Sequence, residues 1–185
     1  MKFSWKIFFI TFLIIITSFG VGGFLLINTV FTNTLNNRID SAKKNNNYIT
    51  TALSVYADNN QPTYGNLEYL RVSAIGFAKQ IAGNSDSKIK IGSINELSFS
   101  AENEFAHGMS VNSRKSRVVT ENKKYYIQTI SKIQLVTKSC YIETVDNITS
   151  VYSDRDMYCT IYQFILIGVA LFASCLLYTS DAADD

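Results

Sequence analysis

The sequence predicts an α+β domain held between two membrane-spanning helices. Three observations carry that reading. Two apolar runs without a charged residue, residues 7–27 and 157–177, stand near the two ends of the 185-residue chain. Each makes about 31 Å of helix at 1.5 Å of rise per residue, about the thickness of a bilayer's hydrocarbon core. Residues 28–156 hold no comparable run and mix helix-period with strand-period segments.

The first run follows Lys2 and Lys6, which places residues 1–6 on the cytoplasmic side. A cleaved signal peptide is its rival, but an h-region normally has about 7 to 15 residues, so the run reads as an uncleaved anchor. Within it Ser18 and Gly22, one helical turn apart, suggest a face for close helix packing. The second run has only Thr160, Gln163 and Ser174 as polar positions. Tyr158, Tyr162 and Tyr178 sit near its ends, where an interfacial belt places them.

Beyond the first run, Leu35, Ile39, Ala42, Asn46, Ile49, Leu53 and Tyr56 keep a 4-3-4-3-4-3 spacing. That stripe fits either a heptad seam with one polar position or an amphipathic helix lying on its own domain's sheet. Residues 59–65, with the only proline in the chain, break the pattern. A second helix is expected over residues 66–82, with Leu67, Leu70, Ala74, Phe77, Ala78 and Ile81 on one face and Gly83-Asn84 closing it.

Strands come next. Residues 88–92 alternate with period two. Residues 95–113 read as loop with a short strand at 97–99. Residues 117–120 and 124–131 form a hairpin turning at Glu121-Asn122-Lys123, and residues 136–145 supply another strand. Consecutive strands imply an antiparallel sheet. Asp146 is placed to cap a last helix. Its stripe, Ile148, Val151, Arg155, Tyr158, Tyr162, Ile165, Val169 and Phe172, runs straight into the second apolar segment.

Chemistry is sparse. The loop carries 15 of the 17 basic and 12 of the 15 acidic residues, which is no nucleic-acid signature. Cys140, Cys159 and Cys175 make neither a disulfide framework nor a metal-ligand spacing. Glu102, Glu104 and His107 lie in a Ser/Asn-rich stretch and read as solvated side chains; no metal or catalytic residue is assigned. Cys140 reads as a small core residue without a histidine partner.

The front end (Met1-Lys2-Phe3-Ser4-Trp5-Lys6-Ile7-Phe8-Phe9, then Leu35-Asn36-Asn37-Arg38-Ile39) resembles the sensor half of clostridial-type two-component sensor histidine kinases. Tyr125-Tyr126-Ile127-Gln128-Thr129-Ile130-Ser131-Lys132-Ile133, Tyr141-Ile142-Glu143-Thr144 and Ile148-Thr149-Ser150-Val151-Tyr152 are similar in the same way. The resemblance covers residues 1–174. It implies a PAS-like (Cache-type) extracytoplasmic domain over residues 28–156 of a two-pass protein of the bacterial cell membrane. It also implies a homodimer, a small-molecule or peptide stimulus, and a response regulator reached through a kinase core that uses ATP and Mg. That core is not in these residues, and His107, on the outer side, is no phospho-acceptor. A chemotaxis receptor, a cyclic-dinucleotide cyclase or a stand-alone two-pass binding or scaffold protein fits the same layout. Residues 178–185, with three aspartates and no basic residue where a basic flank is expected, read as a foreign tail.

In PAS-like domains ligands sit on the sheet face beneath connecting loops. The resemblance therefore points to Arg117, Tyr126, Gln128 and Tyr141 as a pocket group. Alternation puts Tyr126 and Gln128 on one face and Tyr125 and Ile127 on the other, leaving open which face is inner.

Overall fold

The computed structural model describes residues 3–59, 76, 80, 87–99, 105–135 and 138–181. The elements are α1 (Phe3–Asn59), β1 (Lys88–Gly92), a 3-10 turn (Ile94–Glu96), β2 (Arg114–Glu121), β3 (Lys124–Leu135), β4 (Lys138–Asn147) and α2 (Thr149–Asp181). The four strands form one antiparallel sheet in the order β1-β4-β3-β2. The protein is therefore α+β, with a long N-terminal helix and a C-terminal helix around the sheet in sequence. Two compact units emerge, Leu35–Ser150 on the one hand and Met1–Thr34 with Val151–Asp185 on the other.

In the Leu35–Ser150 unit the α1 stripe lies on the sheet. Ala42, Asn46, Ile49 and Leu53 are buried, one on each successive turn. Asn46 ties the helix down: its Nδ2 donates to Thr144 Oγ1 at 3.2 Å and to the Thr129 carbonyl at 3.4 Å. Its Oδ1 accepts from Arg114 Nε at 3.1 Å and from Ser131 Oγ. A buried amide needs such partners, because an unmade hydrogen bond costs about 1–3 kcal/mol. The polar position in the heptad stripe is thus spent on the sheet of its own chain.

Cross-strand register assigns the faces. Thr129 opposes both Ser116 and Thr144, and Ser131 opposes Arg114 and Ile142, so these share the α1 face. Gln128 opposes Arg117 and Val145, and Ile130 opposes Lys115 and Glu143, on the other face. Residues 127–131 of β3 and 142–145 of β4 are all buried. Both faces of the central strands are therefore inner, and the question of which one faces the core has two answers. At the β1 edge the expected alternation holds: Ile89 and Ile91 are buried while Lys88 and Lys90 are exposed. Edge lysines of this kind discourage pairing with a stray strand.

The hairpin is closed by Asn122 (φ 50°) and Lys123 (φ 62°), both left-handed. Two successive positive φ values match the twist of a two-residue hairpin turn, and asparagine tolerates them better than lysine. Residues 97–99 form a bend and turn after the 3-10 turn rather than the short strand expected. The expected helix over 66–82 lies outside the described residues apart from Gly76 and Gln80, which are helical. The first residues of the strand expected from 136 also lie outside them.

Asp146 is not a helix cap. It is still in β4, opposite Ile127, and the strand runs on through Asn147. Asn147 Oδ1 accepts from Thr149 N at 2.9 Å and takes the capping role one residue later. The start of α2 is also pinned to β3, with Ile148 N donating to the Tyr125 carbonyl at 2.9 Å and Tyr125 N donating to Thr149 Oγ1 at 3.0 Å.

The second unit consists of helix alone. Phe12–Val55 and Thr149–Ala173 are long and apolar enough to cross a membrane. Their large side chains face outward, Phe24 at 64% and Phe164 at 70% exposure among them. Threonine hydroxyls in these segments bond back to carbonyls of their own helix: Thr17 to Leu13 at 2.7 Å, Thr29 to Leu25 at 2.8 Å and Thr160 to Asp156 at 2.9 Å. Polar atoms satisfied in this way carry little penalty into an apolar medium. Within this unit Phe12, Ile16, Gly20, Gly23, Ile27 and Phe31 are half-buried on α1, and Tyr152, Arg155, Cys159, Tyr162, Leu166, Ala170 and Ala173 on α2, among the described side chains. The Tyr162 ring rests against Gly23, where a Cβ would collide with it, and its hydroxyl donates to the Phe19 carbonyl. Phe31 meets Tyr152 edge-on at 5.1 Å, with the Arg155 guanidinium 4.9 Å from the Phe31 ring. Gly23 is thus the small residue that admits the partner helix. The expected pair does not: Ser18 is exposed, and Gly22 has open space beyond it.

Candidate functional site

All four residues singled out from the sequence lie on one face of the sheet, the face turned away from α1. Residues 93–99 and 105–109 cover that face. Leu97, Ala106, Met109 and Ile130 form a buried cluster there, with Ile94, Phe105 and Tyr141 packed against it. Ser93 N donates to Glu96 Oε2 at 2.9 Å, folding the Glu96 side chain back over Gly92, where a Cβ would meet it. Gly108, at φ +69°, turns the chain back before Met109.

Beneath the loop runs a hydrogen-bond relay. Arg117 Nε donates to Gln128 Oε1 at 2.7 Å, and Gln128 Nε2 donates to Glu143 Oε1 at 2.6 Å. Ser98 N donates to Glu143 Oε2 at 2.8 Å, so the covering loop is held by the buried carboxylate itself. Glu143 is fully buried and Gln128 nearly so. A carboxylate out of water requires donors on both oxygens, and here it has them. The Arg117 guanidinium lies 4.5 Å from the Phe105 ring centroid, and Lys132 Nζ lies 5.6 Å from the Tyr141 ring while donating to the Met109 carbonyl at 3.0 Å. Phe99 and Tyr126 are 6.0 Å apart, ring to ring. Cations over aromatic faces give each contact about 0.5–1 kcal/mol where exposed.

The structure thus brings Arg117 and Gln128 into direct contact and places Tyr126 and Tyr141 to either side of them, under aromatic and basic cover. Glu143 completes the group. Its position two residues beyond Tyr141 on the same strand is the signal that would have found it, since alternation puts both on one face. Lys132 follows from the same rule applied to Tyr126 and Gln128. Side chains of the described loop residues pack against this face, forming a charge-bearing seam whose lid hangs from Glu143.

The other face is polar in a different way. Burial lowers the pKa of Arg114, whose Nη2 donates to Asn47 Oδ1 at 2.6 Å and whose Nε donates to Ser131 Oγ at 3.1 Å. Burial pushes the Cys140 thiol up to about 11, so the thiol form holds at neutral pH. Among the described residues no group of three or more His, Cys, Asp or Glu side chains is placed to hold a metal ion. His107 is exposed in the covering loop, and Glu102 and Glu104 lie outside the described residues. Comparison with family models, with curated proteins and with solved structures finds no match to this chain.

Proposed function

We propose that this chain is the sensing portion of a two-pass receptor of the bacterial cell membrane, with its α+β unit a PAS-like extracytoplasmic domain and its N-terminus in the cytoplasm. The output we assign by resemblance is a histidine kinase, using ATP and Mg, that passes phosphate to a response regulator. That kinase core belongs to sequence not contained in these residues. The receptor works as a homodimer and answers a small molecule or peptide at the Arg117, Tyr126, Gln128 and Tyr141 face.

The observation that carries this reading is continuity. The helix whose Asn46 is bonded into the sheet is the same unbroken helix that contains the first apolar span. The helix pinned to Tyr125 continues into the second. Any rearrangement of β3 and β4 therefore pulls on backbone that enters both spans without an intervening loop. Release or tightening of the lid through Glu143 is such a rearrangement, and an equilibrium between two positions of the spans is the quantity a stimulus would bias.

The test is a fusion of residues 1–174 to the relay and kinase core of a receptor with a measurable reporter. A single alanine inserted after Thr34 rotates the helix by about 100° per residue and should switch the reporter between its high and low states. Substituting Arg117 and Gln128 should alter the response to conditioned medium without removing the protein from the membrane. A reporter indifferent to the insertion and to both substitutions would refute the proposal.

A further inference from the structure

A second site lies in the Leu35–Ser150 unit on the α1 side of the sheet, unrelated to the seam beneath the loop. It is a cleft of about 440 Å³, lined by Arg38 and Asn45 of α1 and by Ser87, Ile127, Asp146 and Ile148 of the sheet and its flanks. That volume is in the range of about 300–1,000 Å³ typical of small-molecule sites.

Two charges of opposite sign line this space without closing on each other. Among the described residues no ion pair joins Arg38 to Asp146, and Arg38 is exposed. Asp146 is the odd group. Its Oδ1 accepts from Ser87 Oγ, while its Oδ2 is buried and accepts no hydrogen bond among the described residues. An acceptor left in that condition is costly, and an incoming N–H donor recovers the loss. The same residue lines the cleft, which puts its carboxylate beside anything bound there. Arg38, which lines the same cleft from α1, is a donor for an anionic group.

We propose that this cleft binds a small zwitterion, its ammonium end at Asp146 and its carboxylate or sulfonate end at Arg38. A simple amine leaves Arg38 unused and a simple acid leaves the Asp146 oxygen unmet, so a molecule with both poles gains over either half. Burial raises the Asp146 pKa while the bond from Ser87 lowers it. The net effect is a raised pKa, and a neighbouring ammonium would draw it back toward the charged form.

The experiment is isothermal titration of the full chain in nanodiscs with glycine, β-alanine, 4-aminobutyrate and 6-aminohexanoate, which place the same two poles at increasing separation. Butylamine and butyrate serve as single-pole controls. At least one zwitterion should bind tenfold or more tightly than both controls. Arg38→Gln, an exposed helix position that leaves folding intact, should weaken that zwitterion at least tenfold without affecting butylamine. Asp146→Asn should do the same for butylamine and zwitterion alike, and Ser41→Trp, which fills the cleft from α1, should abolish both. Butylamine binding as tightly as every zwitterion, or no zwitterion binding at all, would overturn the proposal. The measurement reads binding directly and is independent of whether the chain signals.

Discussion

Replacing Asn46 by leucine separates the two readings of the α1 stripe. If the stripe were a seam between helices of two copies, the polar residue would specify register at a cost in stability, and leucine would stabilise the assembly. On the sheet the sign reverses. With the amide gone, Thr144 Oγ1 loses its donor, the Ser131 hydroxyl loses its acceptor and Arg114 Nε keeps only Ser131. Two buried groups left unmet at about 1–3 kcal/mol each, with some relaxation, give a loss of about 3 kcal/mol. Asn46→Ala should cost a similar amount. Amide hydrogen exchange of β3 and β4 in the nanodisc-embedded chain reads this as roughly a hundredfold acceleration, since each 1.4 kcal/mol is about tenfold. Unchanged or slower exchange in Asn46→Leu would refute the assignment of the stripe to the sheet.

Other perturbations bear on the seam and the cleft. Glu143→Gln sets an amide N–H₂ against Gln128 Nε2 or Ser98 N, two donors facing each other, and should destabilise by about 2 kcal/mol. The swap Gln128→Glu with Glu143→Gln restores donor and acceptor at each contact and should regain at least half of that in a double-mutant cycle of thermal melts. Asp146 has a raised pKa in the fold, so the folded state holds its proton more tightly than the unfolded chain. Its contribution is therefore full at low pH, falls as pH rises from the ordinary carboxylate range through the raised value, and is flat above; Asp146→Asn should remove that slope from a stability–pH curve. Cys140, with its pKa near 11 against an ordinary 9.0, should alkylate at pH 8 roughly a hundredfold more slowly than in the denatured chain, read site by site by mass spectrometry.

Much of the architecture was legible because it follows period. The two apolar runs, the alternation of Lys88 to Gly92 and the hairpin around Asn122 are local signals, and each element stands where its signal placed it, within a few residues. Face assignment was not legible. Alternation groups Tyr126 with Gln128, yet only pairing with Arg117 and Glu143 shows that the group is a connected relay, and register is a long-range property. Asp146 misled for a related reason: an acid before a helix resembles a cap, but β4 extends one residue past it, so Asn147 does the capping. The small-residue pair Ser18 and Gly22 was chosen by spacing alone. Which of several glycines meets a neighbour depends on the phase at which Tyr162 arrives, and that information lies on another helix.

The central strand β3 is a party wall. Thr129 belongs to the neighbourhood of Asn46 and Gln128, the next residue along, to that of Arg117 and Glu143, and one peptide unit is all that separates them. Such a strand has no solvent side to which a misfit side chain can retreat. Sequence drift in this protein should accordingly pile up along the outer strands, where Lys90, Lys115 and Glu121 reach water, and leave residues 127–131 nearly frozen. A saturation library scored for membrane expression would draw that boundary residue by residue, with tolerance collapsing where both neighbours claim the same strand.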